Sequence, residues 1–293
     1  MTFKQWTTFI TLTLIWGASF LWIKIAVRET SPVTIVALRL VFALVILVPF
    51  LVRKWPGAPR DARRWGQLCV LGAISAALPW ALIIWAEKYI DSAVATVLNA
   101  TVPLFTILAA HLTLHDDRMT GRRVAGLLVG FAGVVLLVGG DLDFSASGDA
   151  RMKLAGQGAM LLAAFFYGMS NVYARAKFRD ATPIYQTFFT MLVSGAMVWV
   201  VVPVVESPFV LPVLPLTWVA IAWLGMLGAG ISYLLFYHLL HEIGPTKIAT
   251  VTYLLPVVGV TLGVVFLDEA LSWRLVVGTA LIVSGVWGVA QRR

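Results

Sequence analysis

Runs free of Asp, Glu, Lys and Arg recur along this chain at close to membrane-crossing length. They fall near residues 5–27, 33–52, 65–86, 92–114, 122–140, 154–174, 183–205, 215–240, 246–267 and 274–291; Arg39 interrupts the second run, while Lys24, Arg122, Arg123, Lys247 and Arg274 lie near run ends. A spanning helix needs ~20 apolar residues, so the pattern predicts ten of them. The stretch 206–215 is apolar but carries Pro208, Pro212 and Pro215, which makes it a loop. The longest connections, 53–64 and 141–153, are too short for a soluble domain.

Composition agrees with the pattern. Sixty per cent of the 293 residues are hydrophobic and 12% are charged, against about half and a quarter in soluble domains. The net charge of +8 could point to nucleic acid, but the basic residues sit in short loops between apolar runs, where membrane proteins carry them. Cys69 is the single cysteine, which excludes disulfides and thiolate metal sites. Lys4 before an apolar run looks like a secretory signal, but the run is long enough to span and no A-x-A site follows it.

The chain also repeats itself. ATVLNATVP leads to LHDD and then Gly126 and Gly133; ATVTYLLP leads to LDEA and then Gly278 and Gly285. Pro103 and Pro256 stand inside these runs as candidate hinges, and thirteen residues after each comes an acid, Asp116 and Glu269. Trp16-Gly17-Ala18-Ser19 matches Tyr167-Gly168-Met169-Ser170 at an offset of 151, and the offset is 153 from Trp65/Trp218 to Pro103/Pro256. The reading is a first repeat over 1–150 and a second over 151–293, five helices each. Because five is odd, the second must enter the membrane from the opposite side, so the repeat is inverted.

Lys and Arg set the orientation. Fifteen lie on the side of the termini and six on the other, so both termini are expected in the cytoplasm.

These residues resemble the drug/metabolite transporter superfamily, in its ten-helix EamA-type branch. The resemblance spans the whole chain and rests on WGASF in the first helix, Pro103 with Asp116, Pro256 with Glu269, and the two G-x6-G runs. His115 stands before Asp116 where the family often has Gly. The resemblance implies two five-helix halves around a central substrate cavity, usually exporting metabolites from the cell through the inner membrane. Bacterial exporters of aromatic amino acids are among the similar proteins.

A charge inside the bilayer costs ~2.5 kcal/mol or more, so ionisable residues within the runs are candidates for function. All fourteen acids fall in loops or at helix ends, which leaves no carboxylate for obligatory proton exchange. Arg39 is expected to hold helices together through backbone carbonyls, Lys24 to snorkel, and His111 and His238 to be interface histidines. Asp116 and Glu269 read as loop ion pairs with nearby arginines. No HExxH, G-x-S-x-G or Walker loop occurs. The GxxxG spacings Gly126–Gly130 and Gly259–Gly263 mean close helix packing.

What remains is aromatic and neutral polar. Trp16, Ser19, Trp80, Asn99, Tyr167, Asn171, Tyr233 and Tyr253 are the candidate substrate-binding residues, beside the hinge prolines. They suit a largely neutral cavity with aromatic walls. The expected activity is export of small neutral or zwitterionic metabolites, amino acids first, by alternating access, without catalysis, cofactor, metal or nucleic acid. A broad drug or organic-cation exporter is the alternative within transport. A membrane-embedded lipid-modifying enzyme is the alternative outside it, and would need a cluster of acids and histidines at one depth.

Overall fold

The computed structural model describes residues 2–53, 55, 57–113, 121–139, 148–206, 209–243, 248 and 251–290, without the side chains at 113, 123, 241, 253 and 288–290. The expectations placed on His115 and Asp116, and on the side chain of Tyr253, lie outside the described residues.

Among the described residues every regular element is helical. In the first half these are α1 (Phe3–Ala26), α2 (Pro32–Arg53), α3 (Ala62–Gly72), a π-helical segment π1 (Ala73–Ala77), α4 (Leu78–Ala86), α5 (Ser92–Asn99), α6 (Val102–Thr113) and α7 (Gly121–Gly139). They continue with α8 (Gly148–Lys177), α9 (Pro183–Val205), α10 (Pro215–Ala222), π2 (Trp223–Ile231), α11 (Ser232–Ile243), α12 (Val251–Leu267) and α13 (Trp273–Ala290).

Local chemistry sets several of the starts. Thr2 and Gln5 form a capping box on α1, Asp61 accepts the Arg64 amide at 2.6 Å on α3, and Thr182 caps α9 ahead of Pro183. Apolar side chains point outward as well as inward: Leu14, Val45, Val204 and Val257 are exposed while Leu12, Leu40 and Leu47 are fully buried. A helix apolar on all sides is one that meets lipid on its outer face.

All ten predicted runs are helical over their described residues apart from Val27 in the first and Ala100–Thr101 in the fourth. Six of these helices, such as Ala62–Ala86 across π1 and Pro215–Leu240 across π2, are long and apolar enough to cross a membrane. Helix α8 is long enough, but Gln157, Ser170 and Asn171 make it less apolar. The fourth run is broken at Ala100–Thr101 into α5 and α6, with Pro103 in the first turn of α6. The expected matching break in the ninth run is absent from the described residues: α12 runs continuously through Pro256. Helices α7 and α13 meet at their glycines, where a Cβ on Gly285 would lie 2.6 Å from the Gly126 carbonyl, so the close-packing expectation holds for Gly126–Gly130.

Hydrogen bonds show which helix ends meet. At one end, where α1 finishes at Lys24, lie the finish of α4, α9 and α12 and the start of α2, α5 and α10. At the other, where α1 starts at Gln5, lie the finish of α8 and α11 and the start of α3.

Candidate functional site

Helices α1, α2, α4, α5, α6, α8, α11 and α12, with π1 and π2, surround one cavity, with about 120 Å³ open to the centres of water molecules. That is room for several waters, so it suits a small molecule. Its walls are mainly apolar and aromatic.

Seven of the eight residues singled out in the sequence line it: Trp16, Ser19, Trp80, Asn99, Tyr167, Asn171 and Tyr233. Pro103 lines it too, whereas Pro256 does not. Tyr233 is the hub of the aromatic wall. Its ring packs edge-on to Trp80 at 6.0 Å and to Trp16 at 6.1 Å, the T-shaped arrangement that ring quadrupoles favour. Asn171 on α8 donates to the Thr106 hydroxyl on α6 at 3.4 Å.

The two π-helical segments explain how the polar groups are held. A π-turn shifts the backbone pairing by one residue and re-aims a carbonyl. In π1 the carbonyl of Ser75 accepts the Tyr233 hydroxyl at 2.8 Å. In π2 the carbonyl of Gly228 accepts Nη2 of Arg39 at 3.3 Å. A Cβ at Gly228 would stand 3.1 Å from the Ser19 hydroxyl, so glycine keeps this approach open. The runs AISAA and GMLGAG gave no sign of these turns beyond their small residues, and the sequence reading missed them.

Arg39 was expected to be a structural residue, and no full charge was expected at the depth of the site. The first half of that stands, since Gly228 takes a hydrogen bond from it. The second is corrected: Arg39 is 5% exposed and lines the cavity. Its guanidinium lies over the Trp80 ring, 3.8 Å from the centroid, and its Nε is buried without a partner. Burying an ion costs several kcal/mol, while a desolvated cation–π contact returns ~2 and a charged hydrogen bond ~1.5–3. These contacts therefore offset the burial only in part.

The Lys24 end brings two further corrections. Lys24 does not snorkel: its ammonium donates to the carbonyls of Glu87 and Ile90 at 2.7 and 2.6 Å, where the finish of α4 leaves acceptors free. Glu269 is not a loop ion pair: its carboxylate accepts the amides of Ser92 and Ala93 at 2.7 and 2.8 Å and so caps α5. The chain reaches that cap because Asp268 takes a left-handed φ of 56° and the Glu269 amide returns to the Gly263 carbonyl at 3.2 Å, a turn that ends helices. Glu87, at a helix end as expected, is nonetheless completely buried, with neither carboxylate oxygen partnered.

Two more carboxylates cap helices at this end. Glu29 accepts the amides of Val213 and Leu214 at 2.6 and 3.0 Å and the Thr217 hydroxyl. The Thr217 bond first, then those backbone amides, hold its carboxyl below the usual range. Glu206 takes the Thr34 hydroxyl and amide. At the Gln5 end, among the described residues, Arg64 pairs with Asp180 at 3.1 Å and donates to the Lys177 carbonyl at the finish of α8 at 2.7 Å, and Gln5 pairs with Glu242 at 3.2 Å. His238 pairs with Glu242, one turn on in the same helix, at 3.1 Å. Among the described residues no cluster of His, Cys, Asp and Glu could hold a metal.

A family model described as the EamA-like transporter family matches residues 6–139 and again 154–291. The chain is 23% identical to the uncharacterized transporter YoaV of Bacillus subtilis, over 95% of this chain and 94% of that protein. It is 25% identical to the uncharacterized inner membrane transporter YedA of Escherichia coli, over 89% of this chain and 82% of that one. A solved crystal structure superposes with a TM-score of 0.70 at 22% identity, covering 98% of this chain and 96% of its own.

Proposed function

Because this chain belongs to the EamA-like transporter family, and is thus a multi-pass membrane transporter, we propose that it exports small zwitterionic metabolites, amino acids first, by alternating access. The observation that carries this reading is the make-up of the cavity wall. Trp16 and Tyr167, and Ser19 and Ser170, are 151 positions apart; Ser75 and Gly228, Trp80 and Tyr233, and Asn99 and Thr252 are 153 apart. All ten line the cavity. Equivalent positions of residues 1–150 and 151–293 thus face one another, as they do about the pseudo-two-fold axis of an inverted repeat.

The wall residues on α8, α11 and α12 lie toward the Gln5 end: Ala174 and Leu240 are close to the finish of their helices and Thr252 is at the start of its own. With the Gln5 end in the cytoplasm, as the excess of basic residues there argues, this conformation faces inward. Rocking one half against the other would expose the same wall to the far side. Aromatic rings supply an apolar side chain with contact, and Asn99, Ser19 and Asn171 supply neutral polar partners. Organic cations fit less well, because Arg39 places a positive charge in the wall. The same wall holds no acid or histidine among its described residues, which weighs against an embedded hydrolytic enzyme.

The test is counterflow in liposomes holding purified protein, with equal pH on both sides. A labelled aromatic amino acid should accumulate against preloaded unlabelled amino acid and not in protein-free vesicles. Movement of quaternary amines alone would refute the assignment.

A further inference from the structure

We propose that Arg39 is the receptor for a substrate carboxylate. The inference rests on the transport reading above and narrows its substrate class.

Arg39 is the sole formally charged side chain among the described residues of the cavity wall. It is 95% buried by virtue of its 5% exposure, and its Nε has no hydrogen-bond partner. Nothing near it in the wall carries a negative charge to offset the cation. Glu87, a fully buried acid, belongs to the Lys24 end and is absent from the wall. A protein that keeps an unpaired guanidinium in an otherwise neutral cavity has left a place for an anion.

The fixing of the side chain says which anion. Trp80 holds one face of the guanidinium plane at 3.8 Å, and Gly228 takes a single Nη2 hydrogen bond. The planar fork is thereby oriented, with the Nε–H still free. An Nε–H beside an Nη–H forms the parallel donor pair that a planar carboxylate accepts through both oxygens. A phosphate group carries about −1.5 to −2 at neutral pH, and one arginine would leave part of that charge buried and unmatched. A monocarboxylate balances it.

The amine of an amino acid needs a different partner. Asn99 is 8% exposed, lines the same cavity, and its Oδ1 is also buried without a partner. Pro103, four residues on, brings no N–H to the carbonyl of Asn99. Two acceptors at one residue suit an ammonium group, which has donors only. The carboxylate is therefore held by a full charge and the ammonium by neutral oxygens, so the carboxylate is the group the site cannot lose.

The experiment compares four competitors in the counterflow assay with wild-type protein: an aromatic amino acid, its primary amide, its decarboxylated amine and its deaminated acid. The amino acid and the deaminated acid should compete, with the amide and the amine at least tenfold weaker, as expected for losing a charge-assisted bond. Arg39→Gln should lose transport of the carboxylates and Arg39→Lys should keep part of it, with both variants monodisperse in detergent. The competitor series needs no variant, so a misfolded Arg39→Gln leaves the proposal falsifiable. If the amide or amine competed as well as the amino acid, the carboxylate receptor would be overturned while the transporter reading survived. If none of the four competed and none was transported, both would fall together.

Discussion

The two ends of this molecule are closed by different chemistry. At the Lys24 end the carboxylates of Glu29, Glu206 and Glu269 each reach across from one half to cap a helix of the other, α10, α2 and α5. Lys24 caps the finish of α4 from α1. At the Gln5 end Arg64 donates to the Lys177 carbonyl at the finish of α8, and exposed side-chain pairs such as Gln5 with Glu242 accompany it. Backbone caps satisfy groups that would otherwise be orphaned, whereas exposed ion pairs give back little beyond what water offers. The lesson is that the ends differ in the cost of opening them. On the transport reading, the Lys24 end is the costlier one to open.

The most damaging single change should fall on the packing beneath that seal. Gly263 lies against the Glu269 carboxylate, and an added Cβ would overlap Oε2 and come within 3.0 Å of the Ser92 hydroxyl. Gly263→Ala should push Glu269 off α5 and cost ~1–3 kcal/mol, the range for overpacking. Thermal unfolding in detergent should show the drop, and a thiol reagent should then reach a cysteine placed at Ser92 that is protected in the parent. An unchanged melting temperature with continued protection would mean the seal does not depend on that cap.

Removing the charges themselves should separate the ends. Glu269→Ala should cost ~0.5–2 kcal/mol, as for other helix caps, while Arg64→Ala should cost less than ~1 kcal/mol. Denaturation of the two variants side by side gives the ranking. Equal losses would remove the contrast between the ends.

The smallest effect should come from acid. Glu29 has its carboxyl held below the usual range, first by the Thr217 hydroxyl and then by the α10 amides. A depressed value means its contribution is present above the unfolded carboxylate range, about 4, and is lost as pH falls through the lower folded value. Melting of the parent should therefore decline in that acid window, with a shallower decline in Glu29→Gln. Parallel curves would show that the cap adds nothing that acid can remove.

How much of this could be read in advance depends on whether the cause is local. The ten helical runs follow from apolar length, and the aromatic wall followed from rings placed on matched runs. The seals did not, because a glutamate in a loop says nothing about which helix start it will meet 177 residues away, as Glu269 meets Ser92. Lys24 was misread for the same reason: its acceptors are the carbonyls of Glu87 and Ile90, 63 and 66 residues on. The π-turns at Ser75 and Gly228 were hidden because the runs AISAA and GMLGAG hold only small and apolar residues that read as ordinary helix. Arg39 stood out as a charge, but its run is apolar on every side, so nothing in the pattern told which face looked into the cavity.

If the chain works by alternating access, transport requires the Lys24 end to open and close. Cysteines in place of Ala93 and Glu269, with Cys69→Ser, would put one thiol on each side of that seal. A short, reducible thiol cross-linker should then hold α5 to the finish of α12 in liposomes that otherwise transport. Full cross-linking should abolish counterflow, and reduction should restore it, with either single-cysteine variant unaffected by the reagent. Undiminished counterflow by fully cross-linked protein would contradict alternating access through this end.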